Sequence, residues 1–156
     1  MIQRGGLAME DIRGNLEKVR QQIRQSAEGC GRSQDDVLLV AVSKTRTPEE
    51  INIAIEAGVT DIGENKVQEI MDKYDDIKPV RWHMIGHLQT NKVKYIIDKV
   101  DCIQSVDSVK LAKEISRLAE KIGRKMPVLI EVNIGGEESK GGIEKAALPE
   151  FLEEIA

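Results

Sequence analysis

Apolar residues return along this chain with two different periods. Between residues 10 and 28, Ile12, Leu16, Val19 and Ile23 recur at steps of four or three, with charged and polar positions between them. That spacing places one apolar stripe on a helix, and Gly29 and Gly31 supply stop signals behind it. Residues 37–42 (Val-Leu-Leu-Val-Ala-Val) are instead continuous and β-branched at both ends. Such a run predicts a strand covered on both faces, as in a parallel sheet. The polar turn Ser43-Lys44-Thr45-Arg46 follows. Thr47 then reads as an N-cap, Pro48 as a first helical position and Glu50 as the third residue of a capping box, so the next helix starts there and ends at Gly58.

The alternation continues. Strand-like segments lie at 61–64, 81–85, 102–106 and 128–134, with helices at 66–74, 91–99 and 109–122 and a last one starting near Leu148. Each strand-to-strand step is roughly 20–26 residues, which holds one crossover helix and little more. Alternating elements of this length predict a parallel sheet. No low-complexity linker interrupts them, so residues 10–156 read as one domain and residues 1–9 as a disordered or extraneous lead. Two α/β architectures fit. One is an open doubly wound sheet, which the pattern alone favours. The other is a TIM-type (β/α)8 barrel, of which this chain would hold about the first five β/α units behind an extra N-terminal helix. A whole barrel takes ~250 residues, against 156 here.

Composition narrows the function classes. A net charge of −4 gives no general affinity for nucleic acid or anionic membrane, and one Trp, two Tyr and one Phe are too few for a base-stacking platform. No segment reaches the ~20 apolar residues of a membrane span. Cys30 and Cys102 match no metal motif and suit a reducing, cytoplasmic setting.

Ligands of parallel β/α folds bind at the carboxyl ends of the strands. Read in order, those ends carry Ser43-Lys44, then Glu64-Asn65, Gly86-His87, Ser105-Val106-Asp107, and Asn133 with the glycine-rich loop that contains Lys140. Lys44 directly follows an apolar strand. A stem lying against the core would leave its amine partly desolvated, favouring the neutral form that condenses with an aldehyde; the alternative is a solvated loop lysine. Asn65 suits either a ligand oxygen or the N-cap of the next helix. His83 and His87 are four apart, a metal spacing only on a helix, and no carboxylate or thiol pattern completes such a site. His83 reads as a satisfied core histidine and His87 as a pocket-lining group. Ser105 and Asp107 fit the end of a strand and the cap of a helix as well as a ligand, and Asn133 is equally open. Lys140 lies where it could reach over the strand ends, although most loop lysines only solvate.

At these same residues the chain resembles the YggS/PROSC-type pyridoxal phosphate homeostasis proteins, which are like the N-terminal domain of alanine racemase. The resemblance is carried by Leu-Val-Ala-Val-Ser-Lys-Thr at 39–45, Gly-Glu-Asn at 63–65 with Val-Gln-Glu at 67–69, Trp-His-Met-Ile-Gly at 82–86 running on to Leu-Gln-Thr-Asn-Lys at 88–92, Ser-Val-Asp at 105–107, Val-Asn at 132–133 and Glu-Ser-Lys at 138–140. It implies a β/α barrel with an added first helix, and pyridoxal 5'-phosphate (PLP) held as a Schiff base on Lys44. It also puts Asn65 against the cofactor and gives Lys140 a part in PLP transfer. His87, Ser105 and Asn133 are the further candidate cofactor-binding residues. The family's role is to hold or deliver PLP, with PLP-dependent apoenzymes as clients, rather than to catalyse. The family pattern continues past Ala156 with groups that hold the cofactor phosphate. The expectation is therefore a partial barrel with open sheet edges and self-association through them. The alternatives are a racemase- or decarboxylase-type PLP enzyme, a PLP-independent Schiff-base aldolase, and a domain that no longer binds PLP.

Overall fold

Five short strands pair in parallel in the order β1-β2-β3-β4-β5, which is also their order in the sequence. They are β1 (Val40–Val42), β2 (Asp61–Glu64), β3 (Arg81–Met84), β4 (Cys102–Val106) and β5 (Val128–Ile130). The computed structural model describes the backbone of residues 5–137 and 141–156, and side chains from residue 12 onward. A doubly wound sheet reverses its strand order at a switch point. This sheet never does, so it is an arc of a barrel and not the open sheet that the pattern alone favours.

The helices are α1 (Gly5–Gly29), α2 (Pro48–Glu56), α3 (Val67–Lys73), α4 (Val109–Lys121) and α5 (Leu148–Ile155). α1 begins five residues ahead of the expected start at residue 10. α2 carries the capping box read from its sequence: Thr47 accepts from Glu50 N at 3.3 Å, and Glu50 accepts from Thr47 N at 2.9 Å. Side chains alternate across a strand. One face of the sheet sends Ile62, Trp82, Met84 and Ile103 into a core shared with Ile51, Ile70, Leu111 and Ile115 of the helices.

Three expectations fail in instructive ways. The segment read as a strand at 37–42 is a strand only over Val40–Val42, and Val42 is 53% exposed. Among the described residues β1 pairs with β2 alone. The helix expected at 91–99 is a 3-10 helix over Thr90–Tyr95 followed by a turn. There Val93, Ile96, Ile97 and Val100 are all buried, so the apolar spacing is kept although the winding is tighter than an α-helix. The strand expected at 128–134 splits at Glu131. The chain leaves the main sheet there as β6 (Val132–Asn133), which pairs in parallel with β7 (Ile143–Glu144).

Candidate functional site

The carboxyl ends of β1 and β2 are tied together by one buried carboxylate. Glu64 is fully buried. Its Oε2 accepts from the Ser43 hydroxyl at 3.2 Å and from Lys73 Nζ at 3.2 Å, and its Oε1 accepts from Asn65 N at 2.8 Å. Lys73, itself buried at the end of α3, uses all three of its donors: it also donates to Ser43 O at 3.3 Å and to Glu69 Oε2 at 2.8 Å. Glu69 in turn accepts from Thr45 N at 3.0 Å. Thr45 has φ 62°, a left-handed conformation that a β-branched residue rarely adopts. Burial works against the Lys73 ammonium, but the hydrogen bonds to Glu69 and Glu64 outweigh it and raise its pKa above the ordinary lysine value. The Lys73 hydrogen bond and then the Thr45 N–H hold Glu69 below the usual carboxylate range.

Lys44 sits between the two pinned residues. Its side chain is exposed, which corrects the expectation of a stem buried against the core. It is an amine presented to solvent on a held turn, not a desolvated one.

The other candidates form a rim across the next strands. Asn65 is half-buried and does not cap α3: the N-cap is Lys66, without a side-chain hydrogen bond. Its backbone lies directly on Gly86, where an added Cβ would stand 2.8 Å from Asn65 Cα and closer still to its carbonyl oxygen. Ser105 is buried and donates to Gly86 O at 2.6 Å, so its hydroxyl braces the loop after β3. His87 is exposed and its Nδ1 lies 3.2 Å from Asp107 Oδ2. Asp107 thus faces His87, and Ser108 is the residue that caps α4. Asn65 and His87 line a cleft of about 540 Å³ between α3 and the Thr90–Tyr95 turn, together with Lys66, Lys92 and Tyr95. Lys44 does not line it. Asn133 lies on β6 and donates to Glu137 O at 3.0 Å. Gly142, at φ 109°, passes so close that a Cβ would meet Asn133 N at 2.9 Å. Lys140 falls outside the described residues.

His83 is the satisfied core residue that its place in a strand suggests. Its Nδ1 accepts from Gln104 Nε2 at 2.9 Å, which leaves Nε2–H to donate to Asp61 Oδ1 at 2.8 Å. Sequence reasoning missed Glu64, Glu69 and Lys73 as a working set. The i,i+4 spacing of Glu69 and Lys73 was visible, but the closure onto Glu64 and Ser43 depends on strand register.

The model of the alanine racemase N-terminal domain family matches residues 8–156. The pyridoxal phosphate homeostasis protein of Aquifex aeolicus (strain VF5) is 45% identical over 140 residues, covering 88% of this chain and 61% of that protein. A crystal structure of a protein from Bifidobacterium adolescentis superposes with a TM-score of 0.88 at 36% identity, covering 96% of this chain and 66% of that one. PipY of Synechococcus elongatus PCC7942, solved with PLP bound, superposes with a TM-score of 0.71 at 33% identity, covering 89% and 63% respectively. The chain therefore spans less than two thirds of the relatives it matches. With residues 8–156 matched and the strand order of a barrel arc, the chain belongs to the alanine racemase N-terminal domain family.

Proposed function

We propose that this chain binds PLP covalently through Lys44 and serves in PLP homeostasis. The observation that carries this reading is the exposed Lys44 amine at the carboxyl end of the first parallel strand, on a turn bonded to its neighbours at both sides. A primary amine in that place fits the aldehyde end of the cofactor. The aldehyde would supply the carbon that becomes joined to Lys44 Nζ, with loss of water. Asn65, next to Glu64 at the end of β2, is assigned the role of orienting a ligand oxygen, as its type and its place at a strand end suggest. His87, Ser105, Asn133 and Lys140 complete the candidate cofactor-binding set. Support comes also from relatives named for PLP homeostasis and from PipY solved with PLP.

The chain holds the cofactor rather than turning over a substrate. In favour of this, the ionisable groups behind the Lys44 turn, Glu64, Glu69 and Lys73, are spent on one another. PLP-dependent apoenzymes are the clients in this reading, and a cytoplasmic setting suits the free thiols of Cys30 and Cys102. Self-association is supported by the exposed Val42 and Leu129 on the outermost strands β1 and β5.

Incubation with PLP followed by borohydride is expected to label the peptide containing Ser43-Lys44-Thr45, and Lys44→Ala to abolish that label. Equal labelling of the Lys44→Ala chain overturns the assignment. Rapid exchange of an amino acid's α-proton in heavy water would instead make it an enzyme.

A further inference from the structure

Both flanks of Lys44 are anchored to the same buried cation. On one side Lys73 Nζ holds Ser43 O, and Glu64 holds the Ser43 hydroxyl. On the other, Glu69 links Lys73 Nζ to Thr45 N. Between them, among the described residues, the exposed Lys44 side chain takes no hydrogen bond or ion pair. The backbone at Thr45 adopts φ 62°, which costs a β-branched residue free energy and persists only where its surroundings impose it. Glu69 is the group that grips that peptide. A salt bridge that merely docked α3 on the sheet would not need to reach across to residues 43 and 45.

We propose that Lys73, acting through Glu64 and Glu69, is a positioning residue that holds the Ser43-Lys44-Thr45 turn in the conformation from which Lys44 captures PLP. The capture step rests on the reading of Lys44 given above, while the holding of the turn stands on the geometry alone. Lys73 touches no cofactor in this scheme. It fixes the exit direction of the lysine stem and leaves the amine free.

Lys73→Met strands the buried Glu64 carboxylate and endangers folding, so the decisive variant is Glu69→Ala. Its side chain is 22% exposed, and its removal leaves the Lys73–Glu64 pair in place. In the cofactor-free chain, amide exchange at Thr45 is expected to accelerate about tenfold or more, the factor that accompanies loss of one charge-assisted hydrogen bond. Core amides such as Ile62 and Met84 should keep their protection. Borohydride-trapped capture of PLP on Lys44 should slow by a similar factor. Glu69→Gln, whose amide oxygen still accepts from Thr45 N but without the charge, should recover both readings in part. A folded Glu69→Ala chain with Thr45 still protected, or with Thr45 released but PLP captured at the unaltered rate, overturns the proposal. Should the unaltered chain capture no PLP at all, the cofactor reading fails by itself, and Thr45 exchange alone decides whether the turn is held as described.

Discussion

Single residues in this molecule differ most where the backbone is crowded. Gly86 lies against the Asn65 backbone with no room for a Cβ, whereas Gly14 in α1 has no atom within 4 Å of one. The same substitution is therefore expected to act with opposite sign at the two positions. Gly86→Ala must push the loop after β3 away from β2, a strain of about 1–3 kcal/mol by analogy with overpacked cores. It should also displace Asn65 and loosen the Ser105 bond to Gly86 O. Gly14→Ala removes a flexible residue from the middle of a helix and should stabilise by roughly 0.5–1 kcal/mol. Urea denaturation of the two variants measures both signs. Lys44 teaches a related lesson. Its place after an apolar strand was legible, but its exposure was not, because exposure depends on what neighbouring elements cover.

Elements were legible in proportion to how local their signals are. The start of α2 was visible because Thr47, Pro48 and Glu50 are adjacent in sequence and meet through the capping box. Replacing Thr47 by Ala is expected to cost about 1 kcal/mol, the usual loss of a good N-cap. A lowered midpoint with an unchanged slope in denaturant would show it; an unchanged midpoint would mean that the cap is idle. The Thr90–Tyr95 turn and the break at Glu131 were illegible for the opposite reason. Val93, Ile96, Ile97 and Val100 are spaced as a helical stripe and are buried as one would be, so the sequence carries no mark of the tighter winding. The Glu131 N–H still bonds to Val106 O at 2.9 Å, but its carbonyl accepts from Ile143 N at 2.7 Å, twelve residues later in the chain. The candidate site divides the same way. Lys44, Asn65 and His87 stand at strand ends that the pattern marks, whereas the Glu64–Lys73–Glu69 set emerges only once β1, β2 and α3 are in register.

At the scale of the whole molecule, two polar networks cross a sheet whose strands follow one another without reversal. The first is the Lys73 set at the carboxyl ends. In the second, Asp61 accepts from His83 and Thr60 and pairs with Arg81 at 2.9 Å. Burial disfavours the Asp61 carboxylate, but the hydrogen bonds from His83 and Thr60 and the charge of Arg81 outweigh it and hold its carboxyl below the usual range. Glu69 is lowered as well, and Lys73 is raised. A carboxyl lowered on folding stabilises the native state above its unfolded pKa, and that stability is lost as pH falls through the folded value. A raised lysine stabilises fully below its unfolded pKa and loses this as pH climbs through the folded value. With unfolded references of about 3.9 for Asp, 4.3 for Glu, 8.5 for Cys and 10.4 for Lys, stability should be level from about pH 5 to 8 and decline outside that window, because burial raises the Cys102 thiol and the unfolded thiol ionises first. Unfolding free energies measured across pH would trace the two limbs. Asp61→Asn should lower the plateau and flatten the acid limb. An acid limb unaltered in Asp61→Asn would mean that other carboxylates carry the acid sensitivity, and that the His83–Asp61 bond contributes only as a neutral contact would.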